Sequence, residues 1–283
     1  MIKRLIIVAL LVAIAAIAGF VRSNSGASLK TVISHNSTGD SRDEIRKSFE
    51  LIAGARVEVS NINGPVTIET ADTKTADVYV ERVASSAEAL SRRRIVVDGS
   101  SNTLRIYGEK GDVGFFGRLF GKSPREKVTV KLPRQVELVT KGVNGSVVVG
   151  DLQGPIDVRG VNGRVQIAGT TGTAMFKGVN GNIVVGLKEL NPAGVTISGV
   201  NGNIELQLSQ ELNAYLEARG MNGRVYSEIA GISVEKEKRG NYWVKIGSGG
   251  NSIQAKGVNG NIRLTRALVP AAAVSDAAEA KDH

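Results

Sequence analysis

The feature that most constrains this chain is a Gly-Val-Asn-Gly motif that occurs six times in its C-terminal half, once with Met in place of Val. Successive motifs are 18, 18, 21, 21 and 37 residues apart. A period near 20 residues is typical of a solenoid, in which each coil of the chain stacks on its neighbour. The six corners are Asn144-Gly145, Asn162-Gly163, Asn180-Gly181, Asn201-Gly202, Asn222-Gly223 and Asn259-Gly260.

Alternating apolar residues lie between these corners. Val147 and Val149 follow one corner, and Ile156 and Val158 lead into the next. Period-two alternation predicts strands that bury one face. The expected fold is therefore all-β, a single-domain parallel β-solenoid with coils of about 18–21 residues that each add about 4.8 Å along the axis. An isolated Asn-Gly pair also suits a hairpin turn, but the fixed period favours stacked corners.

The composition of the corners explains why they repeat. Glycine accepts a positive φ without steric cost, and asparagine tolerates the left-handed region while bonding to nearby backbone. Identical asparagines on stacked coils can also bond to one another through their amides. We expect a ladder of side-chain amides along one edge of the stack.

The N-terminus indicates export. Lys3 and Arg4 precede an apolar run from Leu5 to Ala18, and Ala16-Ile17-Ala18 matches the small-x-small pattern of a cleavage site. Residues 1–21 are therefore predicted to be a signal peptide or an uncleaved N-terminal membrane anchor, and both interpretations stay open. Residues 22–44 are predicted to be a flexible tether, 45–266 the solenoid, and 267–283 a disordered tail. We expect the protein in the periplasm or at the cell surface.

The clearest surface pattern is the residue that precedes each motif, which is basic in five of the six copies: Lys141, Arg159, Lys177, Ser198, Arg219 and Lys256. Alternation directs these side chains outward, and stacking predicts a column, with Arg164 and Arg224 near the same edge. Aligned like charges repel, so an anionic envelope polymer, a lipid headgroup or an envelope protein would be a suitable partner. The alternative is a solvated charged face that blocks lateral association.

A second unusual segment is the loop of residues 114–121, which holds Phe115, Phe116 and Phe120. These side chains could enter a membrane interface or bind a partner. The alternative is a cap over the apolar end of the stack, which solenoids require.

Several classes of function are disfavoured by the sequence. The chain has no cysteine, and its two histidines, His35 and His283, lie outside the repeats. A His-dependent triad and a cysteine metal site are therefore excluded, and we expect no catalysis, no metal and no cofactor. The formal charge of +9 is typical of nucleic-acid binding, but the corners lack stacking aromatics, so we expect no nucleic-acid partner.

One enzymatic alternative remains open. Asp151, Asp157, Glu205 and Glu217 are carboxylates within the repeats, and β-helical polysaccharide-acting enzymes use a pair of such groups. This alternative requires two of them to converge in a cleft.

The chain resembles a bacterial family of domains of unknown function labelled "putative adhesin". The resemblance rests on Phe49, on Ile62-Asn63-Gly64, on the six corners and on Gly247-Ser248-Gly249-Gly250, and it covers about residues 45–266. It implies an envelope-located β-solenoid that acts as an adhesin-like scaffold or binding surface, and it supplies no catalytic residue. A structural spacer or envelope-stress accessory protein is the remaining alternative.

Overall fold

The computed structural model describes residues 32–35, 40–111 and 123–267 of the 283-residue chain. Within these residues the protein is all-β, and its only helix is the short α1 (Ala87–Ser91), which Ser86 caps by accepting a hydrogen bond from the Ala89 amide. The strands form two mixed sheets of 11 strands each, which we call sheet A and sheet B.

The strands of the first half are β1 (Val32–His35), β2 (Ser41–Glu50), β3 (Arg56–Ser60), β4 (Val66–Ala71), β5 (Thr75–Ala84), β6 (Arg93–Gly99), β7 (Thr103–Lys110), β8 (Arg125–Pro133), β9 (Glu137–Lys141), β10 (Val147–Leu152) and β11 (Ile156–Arg159). Those of the second half are β12 (Val165–Thr170), β13 (Ala174–Lys177), β14 (Ile183–Leu187), β15 (Val195–Asn201), β16 (Ile204–Leu208), β17 (Ala214–Arg219), β18 (Val225–Ser227), β19 (Val234–Lys236), β20 (Tyr242–Ile246), β21 (Asn251–Asn259) and β22 (Ile262–Arg266).

The repeats form the parallel centre of both sheets. From β9 to β16 the chain alternates between sheet B and sheet A. Within this span, strands that are one repeat apart pair in parallel. Val147 lies opposite Val165 in sheet A, and Ile156 lies opposite Ala174 in sheet B. Equivalent positions of successive repeats are therefore aligned in register.

The two sheets enclose one apolar core. The alternating residues that the sequence assigned to the interior are buried, including Val147, Val149, Ile156 and Val158. The second residue of every Gly-Val-Asn-Gly motif is also buried, from Val200 at 0% exposure to Met221 at 8%. The motif therefore contributes one apolar side chain to the core at each corner, which alternation alone did not identify.

The order of the repeats in space differs from their order in the sequence. Sheet A runs β14-β16-β22-β18, and sheet B runs β13-β15-β21-β17. The last repeat, β21 and β22, is thus inserted between two earlier repeats. The 37-residue step exists because the chain first places β17 and β18, then forms the antiparallel strands β19 and β20, and only then returns.

The prediction of parallel pairing over residues 45–266 is correct for the centre and wrong at both ends. In sheet A, β2 pairs antiparallel with β5, and β5 pairs antiparallel with β8. In sheet B, β6 pairs antiparallel with β7, and β20 with both β17 and β19. The antiparallel strands lie outside the stacked repeats, where no further copy of the motif is present to continue the parallel register.

Part of the segment predicted to be a tether, residues 22–44, lies in strands where the structure describes it. Val32–His35 forms β1, and β2 begins at Ser41. The apolar pattern misses the start of β2 because its inward residues are polar: Ser41 and Asp43 are buried, and Asp43 accepts hydrogen bonds from buried Arg82. The leader of residues 1–21, and the proposed tail beyond Ala267, lie outside the described residues.

The corner geometry corrects the expected role of asparagine. The left-handed residue is the first glycine of each motif, as at Gly142 (φ 61°) and Gly257 (φ 61°). A seventh corner precedes the six, where Asn61 (φ 55°) occupies the position equivalent to Gly142. Asparagine is among the few non-glycine residues that tolerate this region, which explains why this copy can lack the first glycine.

The motif asparagines form the expected ladder over part of the stack. Asn144 donates to Asn63 (3.1 Å), Asn162 to Asn144 (3.2 Å) and Asn180 to Asn162 (3.2 Å). At the far end, Asn222 donates to Asn259 (2.9 Å). Among the described residues, Asn201 makes no such amide contact and interrupts the ladder.

We expect Asn162→Ala to lower the free energy of unfolding by about 1–2 kcal/mol, since it removes two amide hydrogen bonds worth about 0.5–1.5 kcal/mol each. Asn201→Ala is the matched control, because it truncates the same motif position outside the ladder. Urea denaturation of both variants measures the difference. Equal losses would show that the ladder adds nothing to stability.

Candidate functional site

The residues that precede the six motifs lie side by side on the outer face of sheet B, and we call this row the basic edge. Each follows a buried residue, so the strand pleat turns it toward solvent. The strand pairing gives their order across the sheet as Lys141, Arg159, Lys177, Ser198, Lys256 and Arg219. The structure thus brings the predicted residues together, with Lys256 moved beside Ser198.

Three of the five cations of the basic edge are paired with carboxylates. Lys141 lies 3.3 Å from Glu58, Arg159 lies 2.6 Å from Asp157, and Arg219 contacts Glu217. The hydrogen bonds that Arg159 donates to Asp157, followed by charge attraction, raise the pKa of Arg159 above its ordinary value. Since the pairs are partly exposed, water and salt screen them and they add little to stability. Their main effect is to cancel charge along these parts of the edge.

The remaining two cations, Lys177 and Lys256, have no carboxylate partner within the described part of the chain. Both are exposed, and they flank Ser198 on adjacent strands. The uncompensated charge of the basic edge is therefore concentrated at its centre. Sequence order conceals this arrangement, because it separates Ser198 from Lys256 by the Arg219 repeat.

Arg164 and Arg224 lie across the corner, immediately before β12 and β18 of sheet A. Both are exposed. They belong to a second row of residues, in which the Asn203 amide donates to Asn182 Oδ1, the Asn261 amide to Asn203 Oδ1, and the Arg224 amide to Asn261 Oδ1. This row is a backbone-anchored ladder that the sequence analysis missed, although the repeated Asn at the second position after the motif asparagine is visible in three copies.

The sequence analysis also did not identify the carboxylates that neutralise three cations of the basic edge. Asp157 and Glu217 occur two residues before Arg159 and Arg219, and residues two apart on a strand share a face. That spacing was a usable signal for two of the three pairs. Glu58 lies on β3 and meets Lys141 only through the pairing of β3 with β9, so no local pattern reveals it.

The four carboxylates of the enzymatic alternative do not converge. Asp157 and Glu217 share one row of sheet B, but four strand steps separate them, which corresponds to about 19 Å. Asp151 and Glu205 lie on β10 and β16 of sheet A, three strand steps or about 14 Å apart. Both separations exceed the range of about 5–9.5 Å that glycosidases use.

A cavity of about 640 Å³ lies near the end of the stack formed by β17 to β20. Its walls include Leu212 and Ile246 together with Glu211, Glu235 and Lys245. The cavity therefore carries charges of both signs. The described residues contain no group of three His, Cys, Asp or Glu side chains arranged to hold a metal ion.

The predicted phenylalanine loop, with Phe115, Phe116 and Phe120, lies outside the described residues. Among the described segments, no helix has the length and apolar character needed to cross a membrane.

Comparison with known proteins gives similarity only to solved structures, since no protein-family model and no curated protein matches the chain. A "putative cell adhesion protein" from Clostridium sporogenes is 13% identical with a TM-score of 0.40, and the match covers 80% of this chain and 99% of that one. A "putative adhesin" from Bacteroides fragilis is 14% identical with a TM-score of 0.32, covering 78% and 96%. A "putative lipid binding protein" from Parabacteroides distasonis is 13% identical with a TM-score of 0.26, covering 79% and 97%.

Proposed function

We propose that this chain is a non-catalytic, exported envelope protein whose repeats form a single-domain parallel β-solenoid and whose basic edge binds an anionic envelope component. The observation that carries the proposal is the in-register row of cations on adjacent strands, which the repeat holds at a fixed spacing of about 4.8 Å. Such a row concentrates positive potential along a line.

The arrangement favours binding over reaction chemistry. The side chains of the edge stand on an outer sheet face that is open to water. A catalytic site instead needs groups that converge in a sheltered space. A linear row of cations is better suited to an extended polyanion than to a small substrate.

Two other functions are alternatives to this proposal. A polysaccharide-acting enzyme has no support from Asp151, Asp157, Glu205 and Glu217, because the two pairs that share a sheet are too far apart. A structural spacer or envelope-stress accessory protein would have the same fold, and its basic edge would serve only for solubility. Binding of an envelope component to the basic edge distinguishes our proposal from the spacer.

The test is the full chain with Lys141, Arg159, Lys177 and Arg219 all replaced by Gln. We expect it to capture at least about fivefold less of a protease-treated envelope fraction than the wild type at low salt, because the attraction is electrostatic and screened by salt. Capture by the wild type should itself fall on raising the salt concentration.

The matched control replaces four exposed lysines away from the edge, Lys74, Lys127, Lys238 and Lys245, by Gln. It removes the same charge and should retain wild-type capture. Circular dichroism verifies that both variants are folded. Equal capture by all three proteins would support the spacer, and an equal loss in both variants would show that only net charge matters.

A further inference from the structure

The charge of the basic edge is not uniform, and this limits where a ligand can bind. Toward one end Lys141 and Arg159 face Glu58 and Asp157, and at the other end Arg219 faces Glu217. An anion that approached these positions would compete with a carboxylate already in place. Only the centre offers cations without that competition.

The neighbouring row on the same face supports this view. Two residues before Lys177, Ser198 and Lys256 are Met175, Thr196 and Gln254, which carry no charge. The centre is thus cationic in one row and neutral in the next, whereas the flanking strands of β11 and β17 carry Asp157 and Glu217 in that row.

We propose that Lys177, Ser198 and Lys256 form the binding site for one phosphate group of a phosphodiester-linked polymer. This inference rests on the proposed function and assigns the affinity of the basic edge to three residues. Adjacent strands place the two lysine Cα atoms about 9.6 Å apart with Ser198 between them. Their flexible four-carbon stems allow both ammonium groups to approach an anion seated over the serine hydroxyl.

The donor set fits phosphate better than carboxylate. Lys177, Ser198 and Lys256 lie side by side in one row, and each presents a separate hydrogen-bond donor. A phosphate group has several acceptor oxygens in a tetrahedral arrangement, and lysine binds it as a point charge. A carboxylate can also accept several hydrogen bonds, but its two oxygens lie in one plane, whereas the oxygens of a phosphodiester point in tetrahedral directions.

The surroundings favour a soluble polymer over a membrane surface. The corners beside the site expose the amide side chains of Asn180, Asn201 and Asn259, which can bond to the hydroxyl and ester oxygens of a polar chain. Peripheral membrane binding uses Trp, Phe or Leu side chains beside the cations. The row beside the site holds Met175, Thr196 and Gln254, and Trp243 enters that row only beyond Glu217, two strands away from Gln254.

The test measures binding of the full chain to poly(glycerol phosphate) by titration calorimetry at low salt. We expect Lys177→Gln/Lys256→Gln to weaken binding at least about tenfold and Ser198→Ala about threefold. The comparison variant, Lys141→Gln/Arg159→Gln, removes the same charge from paired positions of the same edge and should weaken binding clearly less than Lys177→Gln/Lys256→Gln does. Thermal unfolding establishes that each variant is folded.

The outcomes separate this inference from the proposed function. Equal weakening by the two double variants would overturn the central site and leave the basic edge as a diffuse binding surface. No weakening by either would overturn both proposals. Polyglutamate that binds as tightly as poly(glycerol phosphate) would overturn the phosphate assignment. Tighter binding to vesicles of one part phosphatidylglycerol and three parts phosphatidylcholine would replace the polymer by a lipid surface.

Discussion

Gly260→Ala is expected to lower the free energy of unfolding by about 2–5 kcal/mol, because the corner leaves no space for a side chain. A Cβ atom at this position would lie 2.2 Å from the carbonyl oxygen of Gly202 on the next coil and 2.6 Å from its carbonyl carbon. Both obstructing atoms belong to the backbone, so relief requires the coils to separate. Overpacking costs about 1–3 kcal/mol, and the φ of 155° adds about 1–2 kcal/mol for a residue with a side chain.

The other glycine of the same motif is the control. Gly257 has φ 61° and nothing within 4 Å of a Cβ, so Gly257→Ala should cost only the conformational penalty of about 1–2 kcal/mol. Gly257→Asn should cost less still, since Asn61 adopts this conformation in the seventh corner. Urea denaturation ranks the three variants. A loss for Gly257→Ala as large as that for Gly260→Ala would refute the close approach as the cause.

Glu126→Gln is expected to lower the free energy of unfolding by about 3–5 kcal/mol, the usual cost of leaving a buried charge without its partner. The Glu126 side chain is fully buried, lies 3.0 Å from Arg93 Nε and accepts a hydrogen bond from the Asn63 amide at 2.7 Å. Glutamine preserves the shape but removes the charge that balances Arg93. The amide hydrogens of the new glutamine would also point at the hydrogen-bond donors of Asn63 and Arg93, where an acceptor is needed.

The Glu126 pair belongs to a larger network at the first end of the stack. Arg82 donates to the Arg93 carbonyl and pairs with Asp43 at 2.6 Å. Glu228→Gln is the control, because its pair with Arg263 has the same kind of contact at 2.6 Å but is about half exposed. It should cost less than about 1 kcal/mol. Chemical denaturation followed by circular dichroism compares the two, and similar losses would contradict a special role for burial.

The sequence predicted most of the central architecture because two periodicities agreed. Alternation located the buried faces at residues such as Val165 and Ile167, and the repeat period aligned them between coils. These signals suffice when every coil makes the same contacts. They also identified the members of the basic edge, since its residues occupy one position of the repeat.

The parts that sequence reasoning missed depend on contacts without a local pattern. Asp43 and Arg82 are buried as a charged pair, so a search for apolar alternation does not detect the start of β2. The position of the last repeat within the two sheets also has no signal in the sequence. Asn201 and Asn259 belong to identical motifs, and only the pairing of β15 with β21 shows that they are neighbours.

The insertion of β21 and β22 has a consequence for how the molecule is assembled. β21 and β22 follow β17 and β18 in the chain, so β17 and β18 have no adjoining layer on that side until the later strands have been synthesised. A chain that ended at residue 250 would lack an internal layer of the stack. Its core would have a gap at the positions of Ile253, Ala255, Ile262 and Leu264. Residues 251–266 therefore join the layer of β15 and β16 to the layer of β17 and β18, and a chain without them leaves those two layers unpaired.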